Sequence, residues 1–475
     1  MIQKQDFKKI SQNLWEIPKE FSPEMRTPAR IYASEEMLTK ILEDRSVNQL
    51  INTASLPGIE KHSMAMPDIH EGYGFPIGGV AGIDTKTGVI SPGGVGYDIN
   101  CGMRILLSPL QEKEITKYIE KLSQEIQESV PSGLGKGRKT KTDISFLNKI
   151  LQKGSQALVE KGYGDQEDIE NCESKGRMES ADPSTVSDRA KQRGRDQIGT
   201  LGSGNHFIEI QKVEKIFDEQ AAKEFGIFQN QVAVMFHTGS RGLGHQVATD
   251  YIKEMMKAMN KYKIQLPDRE LACAPFNSPE GQRYFSAMSA AANYAWANRQ
   301  MIAYHIKKSW EKTIGKEKPT PLYDVAHNIA KKENHNNKEL IVHRKGATRA
   351  FPPNHPEIPE KYKKKGQPVL IPGSMGTGSY ILKGTEQGKE SWHSTCHGAG
   401  RAMSRKQAIK TISGQEIIRE LKGKGILIKS KSNKGVAEEA PQAYKDIDQV
   451  VEIVHQANLS KKVAKLIPLA VIKGD

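Results

Sequence analysis

The stretch "GGVGYDINCGMRI", Gly93–Ile105, sets a carboxylate and a thiol three residues apart in a segment bracketed by glycines. A turn needs only the glycines, and a core needs only the cysteine. Asp98 and Cys101 together, in a loop built to bend, suggest a metal, because carboxylate oxygen and thiolate are donors to divalent transition metals. The apolar runs on either side, "FPIGGVAGI" and "RILL", read as strands joined by tight turns over 61–108.

The rest of the chain bounds what such a site can belong to. The 475 residues correspond to about three domains at ~150 residues each, or to one large α/β unit. Hydrophobic residues are 37% and charged residues 27%, the balance of a soluble globular protein. No apolar run approaches the ~18 residues of a membrane span, and "MIQKQDFKKI" lacks the apolar core of a secretory signal. The four scattered cysteines (Cys101, Cys172, Cys273, Cys396) make no disulfide framework, so a reducing cytoplasm is expected. The net charge of +14 favours a polyanionic partner, most simply nucleic acid. No separate RNA-reading module is visible, so the main fold must hold any such partner.

Periodicity places the elements. Residues 1–60 read as polar, helix-like text with a turn at "SLPGIE". Ile115, Tyr118, Ile119, Leu122 and Ile126 fit one amphipathic helix over 112–130. The basic, glycine-rich stretch 131–145 and the polar stretch 173–195 read as exposed loop insertions. "NHFIEIQKV" and "QVAVMFHTGSRGLGHQ" read as strands, the second followed by a glycine loop and a helix from about His245. Helix is expected over 280–315, and strand–turn–strand at "GQPVLIPGSMGTGSYILKG". Strands and helices with no clean linker predict one large domain of mixed α/β class over 1–475.

Among the thirteen histidines, His62, His305, His335, His343, His355, His393 and His455 lie in polar text and read as surface or structural. His206, His237, His327 and His397 lie at or near the ends of apolar runs, three of them beside glycine-rich loops. Strands deliver side chains to a cleft there, and flexible backbone lets a ligand approach. With Asp98 and Cys101 they form a candidate metal set, in which one thiolate could bridge two ions. The loops "PGSMGTGSY", "HGAGRAMSR" and "TGSRGLG" offer backbone N–H groups for a phosphate, with Arg401 and Arg405 as candidate clamps. In a regular strand Asn205, Phe207 and Glu209 share one face and His206 the other. Both reach one site only if the strand bulges or begins later.

Eight motifs in order, "MPDIHEGYGFPIGG", "GGVGYDINCGMR", "LGSGNHFIE", "FHTGSRGLGHQ", "DVAHN", "PGSMGTGSYIL", "CHGAGRAMSR" and "PQAYKDID", resemble the motif series of the RtcB family of RNA ligases from about residue 60 to the C-terminus. The resemblance implies a family-specific α/β arrangement around a central metal- and nucleotide-binding cleft. It implies GTP and two Mn2+ ions as cofactors. The substrates it implies are RNA ends, a 3′-phosphate or 2′,3′-cyclic phosphate and a 5′-hydroxyl, as on tRNA halves in splicing or in RNA repair. His397 is implied as the nucleophile that takes GMP. Asp98, Cys101, His206, His237 and His327 are implied as metal ligands, with Cys101 bridging. Asn205, Glu209, Ser374, Ser379, Arg401, Tyr444 and Lys473 are implied around the nucleotide, and Arg241 near the RNA end. Some relatives use an archease-type activating protein. Two other readings are compatible with the residues: a paralogue that guanylylates or processes 3′-ends and ligates weakly, and a metal- and RNA-binding protein without catalysis.

Overall fold

The computed structural model describes residues 2–474 except Leu134, Thr140, Lys316 and Lys431. Those four, with Met1 and Asp475, fall within the expected domain and partly within the 131–145 loop, and lie outside the described residues. Two large sheets, mainly antiparallel, each contribute strand ends to one cleft. The first runs in the order Lys8–Ser11, Leu14–Ile17, Ala29–Tyr32, Ser63–His70, Ile77–Asp84, Lys338–Lys345, Asn328–His335. The second runs Thr320–Ala326, Gly102–Gln111, Gln231–Thr238, Phe207–Ile216, Ser460–Lys473, Ser379–Gly384, Pro368–Ile371, with Leu427–Lys429 pairing in parallel with Ser460–Lys473. The mixed α/β class is thus observed, and its strands are more antiparallel than a doubly wound fold would have.

Alternation along the second sheet separates its faces, because successive side chains of a strand point oppositely. Ile208, Ile210, Val232, Val234 and Phe236 pack on one side with Ile302, Ile306 and Trp310 of the helix Pro279–Ile314. Met103, Ile105, Leu107, Ala233, Met235, Tyr323 and Val325 pack on the other. The 36-residue helix is buried along most of its length. Its alanine-rich run "SAAANYAWANRQ" lets neighbours approach closely, and it packs against the helices Ile119–Ser129, Ile144–Lys153 and Arg241–Lys261. No helix among the described residues is long and apolar enough to cross a membrane.

Several expectations are corrected. Residues 1–60 hold three strands and two short helices rather than helix-like text. The strands are only four residues long, too short to show a period, and Lys8–Ser11 is an exposed edge. The 112–130 helix is real but is broken into Glu112–Ile115, a 3₁₀ turn and Ile119–Ser129. The helix expected from His245 begins at Arg241, so the glycines of "SRGLGH" form its first turn. The stretch 173–195 is not a detachable insertion. Glu173 is fully buried and accepts hydrogen bonds from the Ala326 N–H (2.9 Å) and from Lys331 Nζ (2.5 Å), and Asp188–Gly194 is a helix packed on Arg241–Lys261. The described part of 131–145 is largely exposed, but Arg138 pins it by donating to Ile198 O (3.0 Å) and Gly199 O (3.1 Å).

Candidate metal and nucleotide cleft

Three neighbouring strands each place a candidate ligand at the same end of the second sheet, on the same face. Cys101 extends the row 103, 105, 107. His237 extends 233, 235. His327 extends 323, 325. Met103 pairs with His237 and Ala326 with Gly102, so the ends coincide, and the His327 N–H donates to Cys101 O at 2.9 Å. Cys101 Sγ, His237 and His327 form one compact group, and Asp98, Cys101 and His206 form another; Cys101 belongs to both.

Hydrogen bonding on the far side of each ring says what these atoms want. His206 Nδ1 donates to Leu201 O at 3.0 Å, and His237 Nδ1 donates to Asn205 O at 3.1 Å. A neutral imidazole with its proton fixed on Nδ1 has only a lone pair at Nε2. His206 Nε2 nevertheless lies 3.0 Å from Asp98 Oδ2 and 3.5 Å from Cys101 Sγ. His237 Nε2 lies 3.0 Å from Cys101 Sγ and 3.1 Å from His327 Nε2. These nitrogen, sulfur and oxygen atoms converge closely enough to share a cation, and imidazole, thiolate and carboxylate are the donors of a divalent transition metal, so the donor set fits a metal. Burial holds His237 and His327 well below the usual imidazole range and keeps them neutral. Burial and the Asp98 carboxylate push the Cys101 thiol up, a balance that a bound divalent ion reverses. Burial acts against Asp98 too, but the His206 contact holds its carboxyl below the usual range.

The opposite face of the same sheet end is a buried ionic lattice. Arg299, from the long helix, donates to Asn100 O (2.8 Å), Thr238 O (2.9 Å) and Asn100 Oδ1 (3.0 Å). It pairs with Asp324 (2.9 Å), which also takes Arg104 (2.7 Å). Asn100 precedes Cys101, Thr238 follows His237, and Asp324 lies on the strand leading to His327. One guanidinium therefore ties together the backbone of the Cys101 and His237 segments and, through the Asp324 carboxylate, the strand leading to His327.

His397 faces this centre from a separate two-stranded sheet, Ala347–Arg349 with Ser394–Cys396. It follows the short strand Ser394–Cys396, and its ring centroid is 5.2 Å from that of His327. Its Nδ1 lies 2.5 Å from Asp68 Oδ2, off the line of a good hydrogen bond, while the His397 and Gly398 N–H groups donate to the same oxygen at 2.8 and 3.2 Å. Asp68 is fully buried; burial would raise its pKa, but His397 keeps it lowered. Nδ1 is thus turned to the carboxylate, and among the described residues no hydrogen bond engages Nε2.

Asp98, Cys101, Asn205, Glu209, His237, His327, Ser374, His397, Arg401, Tyr444 and Lys473 line one cleft. Burial raises Glu209 to about 7, and Gln211 Nε2 donates to it at 2.6 Å. Lys473, whose pKa burial lowers, donates to Gly204 O at 2.9 Å. Tyr444 bonds Glu439, and Arg401 Nη1 donates to the Tyr444 hydroxyl at 3.2 Å. Ser379 stands behind the wall, its Oγ accepting from Gln211 at 3.1 Å. His206 and Arg241 line an adjoining cleft that shares Asp98 and Tyr97 with the first. The strand begins at Phe207, so Asn205 and His206 precede it; this resolves how both faces serve neighbouring clefts. The Arg401 and Arg405 forks are turned to Glu438, Glu439 and backbone carbonyls rather than left open for a phosphate.

His70, Lys345 and Glu439 also line the cleft, with Asp68 buried behind His397; none of the four was singled out from the sequence. Burial drives His70 down to about 3 and Lys345 down to about 7. His70 follows an apolar strand and precedes Gly72, so the strand-end rule applied to the other histidines covers it. Asp68 and Glu439 carry no such mark.

The family model described as "tRNA-splicing ligase RtcB" matches residues 49–474. A protein of Thermococcus kodakarensis named "tRNA-splicing ligase RtcB" is 52% identical over 476 residues, 98% of each chain. One of that name from Methanococcus maripaludis is 51% identical over 475 residues, 98% of this chain and 99% of its own. "RNA-splicing ligase RtcB" of Mycobacterium tuberculosis is 48% identical over 436 residues, 90% of this chain and all of its own.

Proposed function

Because the chain belongs to the RtcB family, we propose that it is an RNA ligase that joins a 3′-phosphate or 2′,3′-cyclic phosphate end to a 5′-hydroxyl end through a histidine-bound GMP. The observation that carries the reading is His397, with Nδ1 held against buried Asp68 and Nε2 free, one ring away from the Cys101–His237–His327 group.

The Nε2 lone pair of His397 attacks the α-phosphorus of GTP, and pyrophosphate leaves. An oxygen of the RNA 3′-phosphate then attacks the phosphorus on His397, which frees the imidazole and leaves the RNA end capped with GMP. The 5′-hydroxyl oxygen attacks the 3′-phosphorus, GMP leaves and the hydroxyl proton passes to solvent. A cyclic phosphate is first opened by water. Asp68 orients the His397 ring and balances the positive charge it gains on attack, as a carboxylate does behind any nucleophilic or basic imidazole. Glu209 and Asn205 present hydrogen-bonding groups to the guanine edge, and Tyr444 and Lys473 close the nucleotide side of the cleft. Asp98, Cys101, His206, His237 and His327 would hold two Mn2+ ions, which would supply neutralisation of phosphate charge during the transfer.

The test is ligation of a 3′-phosphate oligoribonucleotide to a 5′-hydroxyl partner with GTP and Mn2+, with and without an archease-type activator. Joined product that requires GTP supports the reading. Capped 3′-ends without joining would favour the end-processing alternative.

A further inference from the structure

The two clefts are connected by a line of aromatic rings. Tyr73 lies in the turn after the strand Ser63–His70, Tyr97 immediately precedes Asp98, and His245 lies in the second turn of the helix Arg241–Lys261. Tyr73 and Tyr97 meet edge to face, with centroids 5.4 Å apart and planes at 61°. Tyr97 and His245 stack, at 4.9 Å and 25°. Tyr73 and Tyr97 are half-buried and His245 is exposed. Tyr97 lines both clefts; Tyr73 lines the one containing His397, and His245 lines the one containing Arg193 and Arg241. Among the described residues no hydrogen bond engages either tyrosine hydroxyl or the His245 ring.

A core reading explains little of this. Rings that serve only to pack have no reason to stay open on a cleft wall, ordered in a line past the metal-ligand candidate Asp98. Planar rings with an open face next to cationic side chains are what single-stranded nucleic acid uses, because every base has a π-face and stacking needs no particular base. Unpaired RNA ends are read in this way, splayed out and stacked on aromatic side chains. Arg193 and Arg241, in the cleft that His245 lines, supply the cationic flank.

We propose that the Tyr97–His245 stack, with Tyr73 set edge-on beside it, is a base-stacking platform that receives the unpaired terminal nucleobase of an RNA end and delivers its phosphate or hydroxyl to the metal centre. This rests on the RNA-ligase reading above. It adds the element by which the protein holds an end of any sequence: the base is gripped by its face, and the backbone by the flanking cations.

The experiment measures binding of a 3′-phosphate oligoribonucleotide to the full chain by fluorescence anisotropy. It compares intact RNA with RNA whose terminal nucleotide is abasic, and wild type with Tyr97→Leu, Tyr97→Phe and His245→Ala. Tyr97→Leu and His245→Ala should weaken intact RNA by about 5- to 100-fold, the range that stacking of one base supplies. Tyr97→Phe should bind as wild type does, because the ring and not the hydroxyl is used. Abasic RNA should bind wild type as weakly as intact RNA binds Tyr97→Leu, and should be insensitive to the variants. Equal losses on intact and abasic RNA would assign the rings to packing and overturn the platform, as would wild-type affinity in Tyr97→Leu and His245→Ala. Wild type that fails to bind either RNA would overturn the ligase reading itself.

Discussion

Replacing Arg299 with methionine should damage the metal centre from behind without touching a ligand. The guanidinium is fully buried, and it holds Asp324, Asn100 O, Asn100 Oδ1 and Thr238 O. Removing one partner of a buried ion pair costs ~3–5 kcal/mol, and a buried acceptor left unpaired adds ~1–3 kcal/mol. Asp324 keeps Arg104, which offsets much of the first term, while three acceptors lose their donor at ~1 kcal/mol or more each, so a loss of at least about 3 kcal/mol is expected. That is a large share of a typical stability of ~5–15 kcal/mol. Because Asn100 and Thr238 flank Cys101 and His237, metal affinity should fall ~10- to 100-fold, the usual effect of removing a supporting contact. Arg299→Lys keeps the charge but not the planar fork and should lie between wild type and Arg299→Met. Urea denaturation gives the stability, and calorimetric titration with Mn2+ gives the affinity. A variant within about 1 kcal/mol of wild type that binds Mn2+ equally well would refute the claim that this arginine organises the ligand-bearing segments.

Further expectations concern single groups. Asp68→Asn keeps the side chain's shape but loses the charge opposing His397; a charge-assisted contact worth ~1.5–3 kcal/mol corresponds to a 10- to 100-fold slower transfer of labelled GMP to the protein, read in single-turnover assays. Glu209 has its pKa raised by burial to about 7 from 4.5, so the folded state holds a proton that the unfolded state has released, and stability falls as pH rises from about 4.5 to 7. Glu209→Gln should remove that loss, flattening stability between pH 5 and 8 relative to wild type by about 3 kcal/mol; parallel curves for the two proteins would contradict it. Metal removal by chelation should lower the melting temperature, and Mn2+ should restore it by mass action. In Cys101→Ala, which takes the shared atom from both ligand groups, the restoration should be much smaller.

The ligand-bearing strand ends were legible because a metal-type side chain stands at or near the end of each apolar run; that it continues the inward row of its strand is visible only in the fold. Glycines beside His206, His237 and His397 marked the loops where backbone can approach a ligand. The sequence was less informative where function rests on the opposite face. Arg104 and Asp324 read as charged interruptions of apolar strands, and only the pairing of those two positions across neighbouring strands shows them as one buried lattice. Asn100 adopts a left-handed backbone (φ 52°) that its sequence neighbours do not announce. Asp68 lies 329 residues from His397, and no local pattern links a carboxylate to a histidine so far along the chain. Helix starts were displaced for a local reason: the glycines of "SRGLGH" look like a loop, yet as the first turn of a helix they let Gly242 approach Gln197, whose Oε1 accepts its N–H at 2.9 Å.

The most direct test of the whole account uses GTP labelled at the α-phosphate, with Mn2+ and no RNA, followed by denaturing electrophoresis of wild type and His397→Ala, whose folding is checked by melting temperature. The account predicts an acid-labile label on wild type and none on His397→Ala. Label retained on a folded His397→Ala protein would contradict the assignment of His397 as the nucleophile, and with it the chemistry proposed for the cleft.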